Sequence, residues 1–358
     1  MKTIYFTPGP SQLYPTAAAH FHKGLKTHIG SISHRSKGFQ EIYLTLTEGL
    51  KKLLTIPDNY HIFIVGSGTE AMERVIQHCV EKETLHLVNG SFSKRFFTTA
   101  QELGKKPKIV AVLSGEGVNL AKMKIPAKTE LLCFTHNETS TGVMLSAKEI
   151  ENLARKNRDV LIAVDIVSSA PYADLDYPLM DVVFFSIQKG FGMPAGLGVM
   201  IVSPRAMQKA ESMQAKGMST GSYHSFVSLV QFAEKQQTPE TPPVLAMYVL
   251  GKIIQDMLAV GIATIRRETE EKAQMLYNFF DTSTTLSAFV KDKKFRSATV
   301  IVADVQNAKG DVKKLLAQKG FLVGSGYGAN KTNHIRIANF PAHSVKDVKK
   351  LLKELKAL

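Results

Sequence analysis

Short apolar runs alternate with helical periodicities through the first two thirds of the chain. This alternation is typical of βα units that build a mostly parallel sheet. The predicted strands cover seven ranges: 60–65, 84–88, 108–113, 130–136, 159–165, 181–187 and 198–203. The helices predicted in this region cover four ranges: 36–54, 69–80, 93–103 and 147–156. The pattern therefore predicts an α/β fold with a mostly parallel seven-stranded sheet.

The composition changes after the seventh predicted strand. Polar stretches at 216–222 and 236–243 follow it, and the second contains three prolines. At 358 residues the chain is too long for one ordinary core. We therefore predict a large domain of residues 16–243 and a smaller α+β domain of residues 244–358 together with 1–15. In the smaller domain we predict helices at 244–258, 263–280 and 311–319, strands at 297–303 and 334–338, and a terminal helix.

The chain is strongly basic, with 45 Lys and Arg against 31 Asp and Glu and a net charge of +14. Such an excess is compatible with a nucleic-acid-binding protein, because clustered cations neutralise phosphates. The cations are nevertheless spread over the whole chain. At the C-terminus, Lys349, Lys350 and Lys353 alternate with leucines, as on the solvated face of an amphipathic helix. A non-catalytic nucleic-acid-binding protein therefore remains only a remote alternative.

Two cysteines, Cys79 and Cys133, lie in apolar segments. Their number and placement argue against a disulfide framework or a zinc site, and we predict no metal. No apolar run approaches the roughly 20 residues needed to cross a bilayer, and the first residues lack the apolar core of a signal peptide. We expect a cytoplasmic protein.

A single lysine, Lys189, follows the apolar strand at 181–187 and precedes a loop with four glycines and a proline. It is expected at the carboxyl edge of the sheet, where open α/β folds bind ligands. A partly desolvated lysine loses proton affinity and becomes nucleophilic toward an aldehyde, which suits Schiff-base chemistry. The alternative is a surface lysine at an ordinary strand exit.

The preceding strand ends in Asp165, so two consecutive strand tips offer a carboxylate and an amine. If the cofactor is a pyridine aldehyde, this carboxylate can keep the ring nitrogen protonated, and the ring then withdraws electrons from the substrate carbon. Taken alone, Asp165 could also be a metal ligand or a helix cap.

A glycine-containing turn, Gly66-Ser67-Gly68-Thr69, joins a predicted strand to a predicted helix. Free main-chain N–H groups and the positive end of the helix dipole suit a phosphate there. The turn lacks the third glycine of a dinucleotide fingerprint and the Gly-Lys-Ser/Thr of a P-loop. A tight turn capped by Thr69 is the alternative.

Three further cationic groups are candidates for substrate binding. His34 and Arg35 stand in a polar loop before a helix, and Arg336 interrupts an apolar strand. A buried arginine needs a carboxylate or phosphate partner. A helix-preceding loop for the first pair and a structural salt bridge for Arg336 are the alternatives.

Nine motifs in the same order make the chain resemble the class V pyridoxal-phosphate-dependent aminotransferases, whose branches include phosphoserine and alanine- or serine-glyoxylate aminotransferases. The motifs are FTPGPS at 6–11, SHRS at 33–36, GSGTEAME at 66–73, NGSF at 89–92, HNETSTG at 136–142, VDIVSS at 164–169, QKGFGMPAGLG at 188–198, TPP at 241–243, and the strand of Arg336. The resemblance runs almost end to end and implies fold type I with pyridoxal 5'-phosphate as cofactor.

The resemblance also implies residue roles. Lys189 would form a Schiff base with the cofactor and shuttle the proton between substrate and cofactor. Asp165 would hold the pyridine nitrogen. Phe92 would stack on the ring, where relatives often carry Trp, and Thr139 would lie near the ring hydroxyl. The residues implied to hold the cofactor phosphate are Ser67, Gly68, Thr69 and Gln188, with Thr241 reaching it from the neighbouring subunit of a homodimer. Arg336 would bind the substrate carboxylate.

The resemblance is less specific for the substrate. Transfer between a small L-amino acid and a 2-oxo acid is implied, and His34 and Arg35 favour phosphoserine with 2-oxoglutarate, a step of serine biosynthesis. A second His-Arg pair of that branch is replaced here by Phe321-Leu322. Alanine- or serine-glyoxylate transamination is therefore kept as the alternative. Gln188, where cysteine desulfurases carry His, argues against a desulfurase activity.

Overall fold

Residues 3–308 and 310–358 are described by a computed structural model of the chain. Two sheets organise these residues. The larger one has seven strands, and the smaller one has five. A two-stranded pair lies apart from both.

The helices and strands are numbered in chain order. In the described residues the strands are β1 (Ile4–Phe6), β2 (His61–Val65), β3 (Glu83–Val88), β4 (Lys106–Ala111), β5 (Leu131–Thr135), β6 (Asn137–Glu138), β7 (Val143–Met144), β8 (Leu161–Asp165), β9 (Val182–Ser186), β10 (Gly198–Val202), β11 (Leu286–Ala288), β12 (Val300–Val305), β13 (Phe321–Ser325) and β14 (His334–Ala338). The α-helices there are α1 (Ala17–Lys26), α2 (Lys37–Leu54), α3 (Gly68–Cys79), α4 (Ser91–Glu102), α5 (Ala147–Lys156), α6 (Pro204–Ala215), α7 (Phe226–Ala233), α8 (Val244–Val260), α9 (Ile262–Phe280), α10 (Val312–Gln318) and α11 (Val345–Leu355).

The larger sheet has the strand order β2-β10-β9-β8-β5-β3-β4. Its neighbours pair in parallel except β10, which is antiparallel to both β2 and β9. Every residue of β5, β8, β9 and β10 is buried, as expected for central strands covered by helices on both faces. The predicted mostly parallel seven-stranded sheet is confirmed, with strand ends that differ by at most two residues.

Helix starts in this region are specified locally. Ser36, Ser67 and Ser146 precede α2, α3 and α5, and each side-chain oxygen accepts a hydrogen bond from the main-chain N–H three residues later. Such caps satisfy donors that have no partner within the helix. The same serine signals in the sequence explain why the predicted starts of these helices lie within one residue of the observed ones.

Separate apolar cores lie on the two faces of the larger sheet. One contains buried residues of α2, α5 and α8, and the other contains residues of α3, α4 and α6. This three-layer arrangement leaves the carboxyl ends of β8 and β9 and the turn between β2 and α3 at one edge. The edge is where ligands bind in open α/β sheets.

The smaller sheet has the strand order β1-β13-β14-β12-β11. The N-terminal strand β1 pairs in parallel with β13, with Ile4 opposite Phe321, and the remaining pairs are antiparallel. Its core is formed with α9, α10 and α11. The sequence did not predict β1, β11 or β13, because strands of three to five residues are too short to show a clear alternation.

The helix α8 packs against α2 in the core of the larger sheet, since Met247, Leu250 and Ile254 are fully buried there. The predicted domain limits of 16–243 and 244–358 with 1–15 assign this helix to the smaller domain. Those limits stay a prediction. Among the described residues, no single helix is both long and apolar enough to cross a membrane, although α8 and α9, which meet at 83°, reach that length and composition when combined.

Candidate active site

A cavity of about 210 Å³ lies at the carboxyl edge of the larger sheet. Its lining comes from the ends of β8 and β9, the turn before α3, the start of α4 and the segment that follows β1. Eight predicted site residues line it together: Ser67, Gly68, Thr69, Phe92, Thr139, Asp165, Gln188 and Lys189. The strand ends meet because parallel neighbours point the same way, although the residues are up to 122 positions apart in sequence.

The amine of Lys189 is buried at this cavity, with 6% of the residue exposed. Its Nζ donates a hydrogen bond to the main-chain carbonyl of Pro8 at 2.6 Å. Burial, and then the nearby guanidinium of Arg336, lower the pKa of Lys189 to about 8. A substantial neutral fraction of the amine is therefore available near neutral pH, as a nucleophile requires.

The N-terminal segment closes one side of the cavity. Gly9 has a positive φ of +122°, and a Cβ on it would lie 2.5 Å from Cε of Lys189. Glycine is required there for both reasons, because a side chain would be strained and would meet the lysine. The FTPGPS motif is visible in the sequence, but this contact is not, because it joins residues 180 positions apart.

Asp165 is 3% exposed at the end of β8. Its Oδ1 accepts from the N–H of Val167 at 2.8 Å, and its Oδ2 accepts from Oγ1 of Thr135 at 3.4 Å. Burial raises the pKa of this carboxyl to about 7. A cationic partner in the cavity would lower that pKa again, since an opposite charge favours the ionised carboxylate.

The turn between β2 and α3 presents the first turn of a 12-residue helix to the cavity. The N–H of Gly68 donates to Oγ of Ser186 at 2.7 Å, which joins the turn to β9. A Cβ on Gly68 would lie 2.7 Å from a methyl carbon of Val167, so the close approach requires glycine. The positive end of the α3 dipole suits an anion at this point.

A buried glutamate, Glu138, supports the start of α4, although the sequence did not predict it as a site residue. Its carboxylate is fully buried and accepts from the N–H groups of Phe92, Ser93 and Ser140 and from both serine hydroxyls. This network fixes Phe92, whose ring centre lies 5.4 Å from the Lys189 amine. The HNETSTG motif contained the signal, because an acid among three polar neighbours beside a strand end is unusual in a buried element.

Arg336 lies at the smaller sheet, close to the cavity but not in its lining. Its Nε donates to the carbonyl of Ser325 at 2.6 Å, and its Nη1 donates to the carbonyl of Thr139 at 3.2 Å. The guanidinium lies 5.4 Å from the ring centre of Tyr327. Among the described residues its hydrogen bonds go to carbonyls, so the arginine is joined to the site through Thr139 rather than through an internal carboxylate.

His34, Arg35 and Thr241 lie together, outside the lining of the cavity. Oγ1 of Thr241 is 3.4 Å from Nδ1 of His34. Arg35 is exposed and donates to three acceptors of the 237–239 loop: the side chain of Gln237 and the carbonyls of Thr238 and Pro239. Burial and the neighbouring Arg35 lower the pKa of His34. Within one chain, the structure thus brings these three residues together but does not bring them to Lys189.

Comparison with known proteins matches the chain to a family. The family model described as aminotransferase class-V matches residues 4–351. A phosphoserine aminotransferase of Rhodococcus opacus is 27% identical over 354 residues, which cover 98% of this chain and 93% of the relative. One from Corynebacterium glutamicum is 28% identical, with 97% and 92% covered.

Solved structures agree in fold. The crystal structure of a phosphoserine aminotransferase from Cytophaga hutchinsonii has a TM-score of 0.97 and 47% identity, covering 99% of this chain and 98% of the other. An alanine-glyoxylate aminotransferase from Nostoc has a TM-score of 0.81 at 21% identity, covering 100% and 95%, and is similar in fold.

Proposed function

The chain belongs to the class V aminotransferases, and on that premise we propose that it is a pyridoxal-phosphate-dependent phosphoserine aminotransferase. Transfer of an amino group between an amino acid and a 2-oxo acid follows from the family. The amino donor and the roles of individual residues are our proposals. The observation that carries them is the shared cavity, because the Lys189 amine, the Asp165 carboxylate and the first turn of α3 all line it.

The cavity residues fit pyridoxal phosphate chemically. The cofactor combines an aldehyde, a basic ring nitrogen and a phosphate, and the lining offers an amine, a carboxylate and a helix N-terminus. Two side-chain oxygens of the lining, Oε1 of Gln188 and Oδ1 of Asn137, are buried and have no hydrogen-bond partner among the described residues. Buried polar atoms without partners are unfavourable, so a polar ligand in the cavity would stabilise them.

The residues that would hold the cofactor are those named from the sequence. Lys189 would bind it covalently through Nζ, Asp165 would face the ring nitrogen, and Phe92 would cover a ring face. Ser67, Gly68, Thr69 and Gln188 would hold the phosphate, and Thr139 would lie near the ring hydroxyl. When bound, pyridoxal phosphate withdraws the electrons left on the substrate carbon after a proton departs.

The chain's own groups would manage protons and orientation. Lys189, with a pKa of about 8, can accept a proton at Nζ and return it near neutral pH. The carbonyl of Pro8 accepts a hydrogen bond from this amine and so keeps it beside the cavity. Arg336, fixed by two carbonyls, would bind the substrate carboxylate with its remaining donors.

A homodimer with shared sites is part of the proposal. His34, Arg35 and Thr241 form one group that lies outside the cavity of their own chain. We propose that this group completes the cavity of a second copy, with Thr241 near the cofactor phosphate and the two cations near the substrate phosphate. The cytoplasmic location expected from the sequence stays a prediction.

Phosphoserine is preferred as donor because three of the four relatives named above are phosphoserine aminotransferases by name, including the 47% identical Cytophaga protein. The alternative is alanine or serine with glyoxylate. It is favoured by Phe321 and Leu322, which are apolar where the phosphoserine branch has a His-Arg pair. Phe321 is 7% exposed in the core of the smaller sheet and pairs with Ile4, so it offers no charge to a substrate.

A half-reaction screen tests the donor. Phosphoserine, serine, alanine and glutamate are each mixed with the cofactor-loaded enzyme, and the loss of the Schiff-base absorption is followed. We expect fast reaction with phosphoserine and glutamate. Fast reaction with alanine or serine but none with phosphoserine would replace the preferred assignment by the glyoxylate alternative, and a protein that binds no pyridoxal phosphate would contradict the whole proposal.

A further inference from the structure

A histidine lies between two carboxylates beside the turn that precedes α3. Nδ1 of His224 is hydrogen-bonded to Glu70, and its Nε2 is 3.2 Å from Oε2 of Glu240. His224 is 6% exposed. Glu70 belongs to the first turn of α3, and Glu240 directly precedes Thr241. The histidine therefore connects the turn proposed to hold the cofactor phosphate with the segment proposed to reach a second copy.

Glu70 has a structural reason to be there. Its Oε2 accepts from the N–H of Gly66 at 2.7 Å, and its own N–H donates to Oγ of Ser67 at 3.0 Å. These bonds hold the 66–70 turn in one conformation. The carboxylate is nevertheless a negative charge at the same helix end, and like charges at short range repel an incoming phosphate.

Neighbouring charges can offset this repulsion between the Glu70 carboxylate and a phosphate. From α3, Glu70 faces His224. Arg74 approaches Glu70 with its Nε 3.7 Å from Oε1 and also contacts half-buried Glu73. From the 238–243 segment, Glu240 faces the histidine. Burial lowers the pKa of His224, but the ion-pair contact with Glu240 and the hydrogen bond with Glu70 outweigh it and raise that pKa to about 9. At neutral pH the group therefore contains an imidazolium between two carboxylates.

We infer that protonated His224 is a positioning residue for the cofactor phosphate. It holds Glu70 and Glu240 in place and offsets their charge, so that the turn before α3 retains a dianion. The inference rests on the proposed function, because it takes the phosphate of pyridoxal phosphate as that anion. It concerns retention of the phosphate group and leaves the aldehyde chemistry at Lys189 unchanged.

The test compares two aldehydes on the full-length protein freed of cofactor. Pyridoxal phosphate and pyridoxal share the reaction with Lys189, but only the first carries the phosphate. In His224→Gln we expect the dissociation constant of pyridoxal phosphate to rise about tenfold, the order expected for one nearby charge, while that of pyridoxal changes less than about twofold. Both constants are measured by absorption titration.

A matched control and a rescue separate charge from packing. His20 contacts Asp256 at 2.7 Å elsewhere in the molecule, and His20→Gln should leave both dissociation constants unchanged. In the His224→Gln background, Glu70→Gln removes the uncompensated charge and keeps an acceptor for Gly66. This double variant should recover most of the lost affinity. Equal loss for both aldehydes, or no recovery, would overturn the inference.

A second variant does not depend on the fold tolerating a change at His224. Glu240→Gln removes one carboxylate and leaves the bond between His224 and Glu70. We expect tighter binding of pyridoxal phosphate and unchanged binding of pyridoxal. Weaker or unchanged binding of pyridoxal phosphate by this variant contradicts the inference.

The pH dependence supplies a readout that a purely structural role would not change. In the wild type, the affinity ratio of pyridoxal phosphate to pyridoxal should fall as pH rises through about 9, where His224 loses its proton. The phosphate is a dianion throughout, since its second pKa is about 6. The ratio should be flat in His224→Gln. A wild type that binds pyridoxal phosphate with a flat ratio overturns this inference alone, whereas failure of the wild type to bind it overturns the proposed function.

Discussion

Two buried lysines, Lys189 and Lys272, both bond to main-chain carbonyls. Lys189 is at the edge of the larger sheet, and Lys272 lies on α9 against the smaller one. Among the described residues, both amines donate to main-chain carbonyls: Lys189 to Pro8 at 2.6 Å, and Lys272 to Phe340 at 3.2 Å and His343 at 2.6 Å. Burial lowers the pKa of each to about 8.

The difference between them is the space beside the amine. Lys189 lines a cavity with Asp165, whereas Lys272 is 1% exposed and its amine is held between the carbonyls of the 340–343 loop. His343 of that loop is bonded to the carbonyl of Tyr5 at 2.9 Å. Lys272 thus holds the loop against the strand that leads to Pro8. A lowered pKa alone does not mark a catalytic lysine, because desolvation acts in the same way in a packed core.

We expect the largest difference between the two lysines in catalytic activity. Lys189→Ala should lower kcat/KM by at least about 10²- to 10⁴-fold, the usual contribution of a proton-transferring group, and should abolish borohydride trapping of the cofactor. Lys272→Met should stay within about threefold of wild type per folded protein, because the change is confined to the packed loop. Steady-state kinetics measures both. Similar losses in the two variants would remove the distinction.

For stability we expect the opposite order: Lys272→Met should destabilise the protein more than Lys189→Met. Lys272→Met leaves the carbonyls of Phe340 and His343 without their donor in a packed interior, and each buried unsatisfied group costs about 1–3 kcal/mol. Lys189→Met leaves the Pro8 carbonyl next to a cavity that water can enter, so we expect a loss below about 1 kcal/mol. Urea unfolding of both variants at one pH makes the comparison, because both amines have a folded-state pKa of about 8 and the cost of deprotonating them on folding is therefore similar.

Two glycine variants test whether the close contact of Gly9 with Lys189 matters for activity. Gly9 and Gly196 have φ of +122° and +126°, but only a Cβ on Gly9 would meet a neighbour, which is the Lys189 side chain. Both alanine variants should lose about 1 kcal/mol of stability from backbone strain. Gly9→Ala should also lower kcat about tenfold, equivalent to roughly 1.4 kcal/mol, and Gly196→Ala should not. Equal kinetics in both variants would show that the contact is unimportant.

The last comparison is the pH dependence of stability. Both folded-state pKa values are depressed below the ordinary 10.5, so the unfolded chain binds more protons between about pH 8 and 10.5. The free energy of unfolding should therefore rise with pH in this window, by up to about 1.4 kcal/mol per pH unit for each lysine. Lys272→Met should lose the part of this rise that comes from Lys272. Loading with pyridoxal phosphate should remove the part that comes from Lys189 and leave the part from Lys272.

Much of the fold was predictable because its signals are local. The apolar strand runs of the larger sheet and the serine caps before α2, α3 and α5 each act within a few residues. The place of the cavity was also predictable, because strand ends in a parallel sheet share one edge. Strand β1 was not predicted, because its three residues form a strand only by pairing with β13, more than 300 positions away.

The sequence by itself determined the α/β architecture, the lysine and carboxylate at neighbouring strand tips, and the glycine turn before α3. Only the tertiary structure decided that Lys189 meets the Pro8 carbonyl, that Lys272 is enclosed, and that His224 joins Glu70 to Glu240. The reason is physical. Periodicity and caps are properties of short segments, whereas desolvation and charge pairing depend on which distant segments the folded chain brings within a few ångströms.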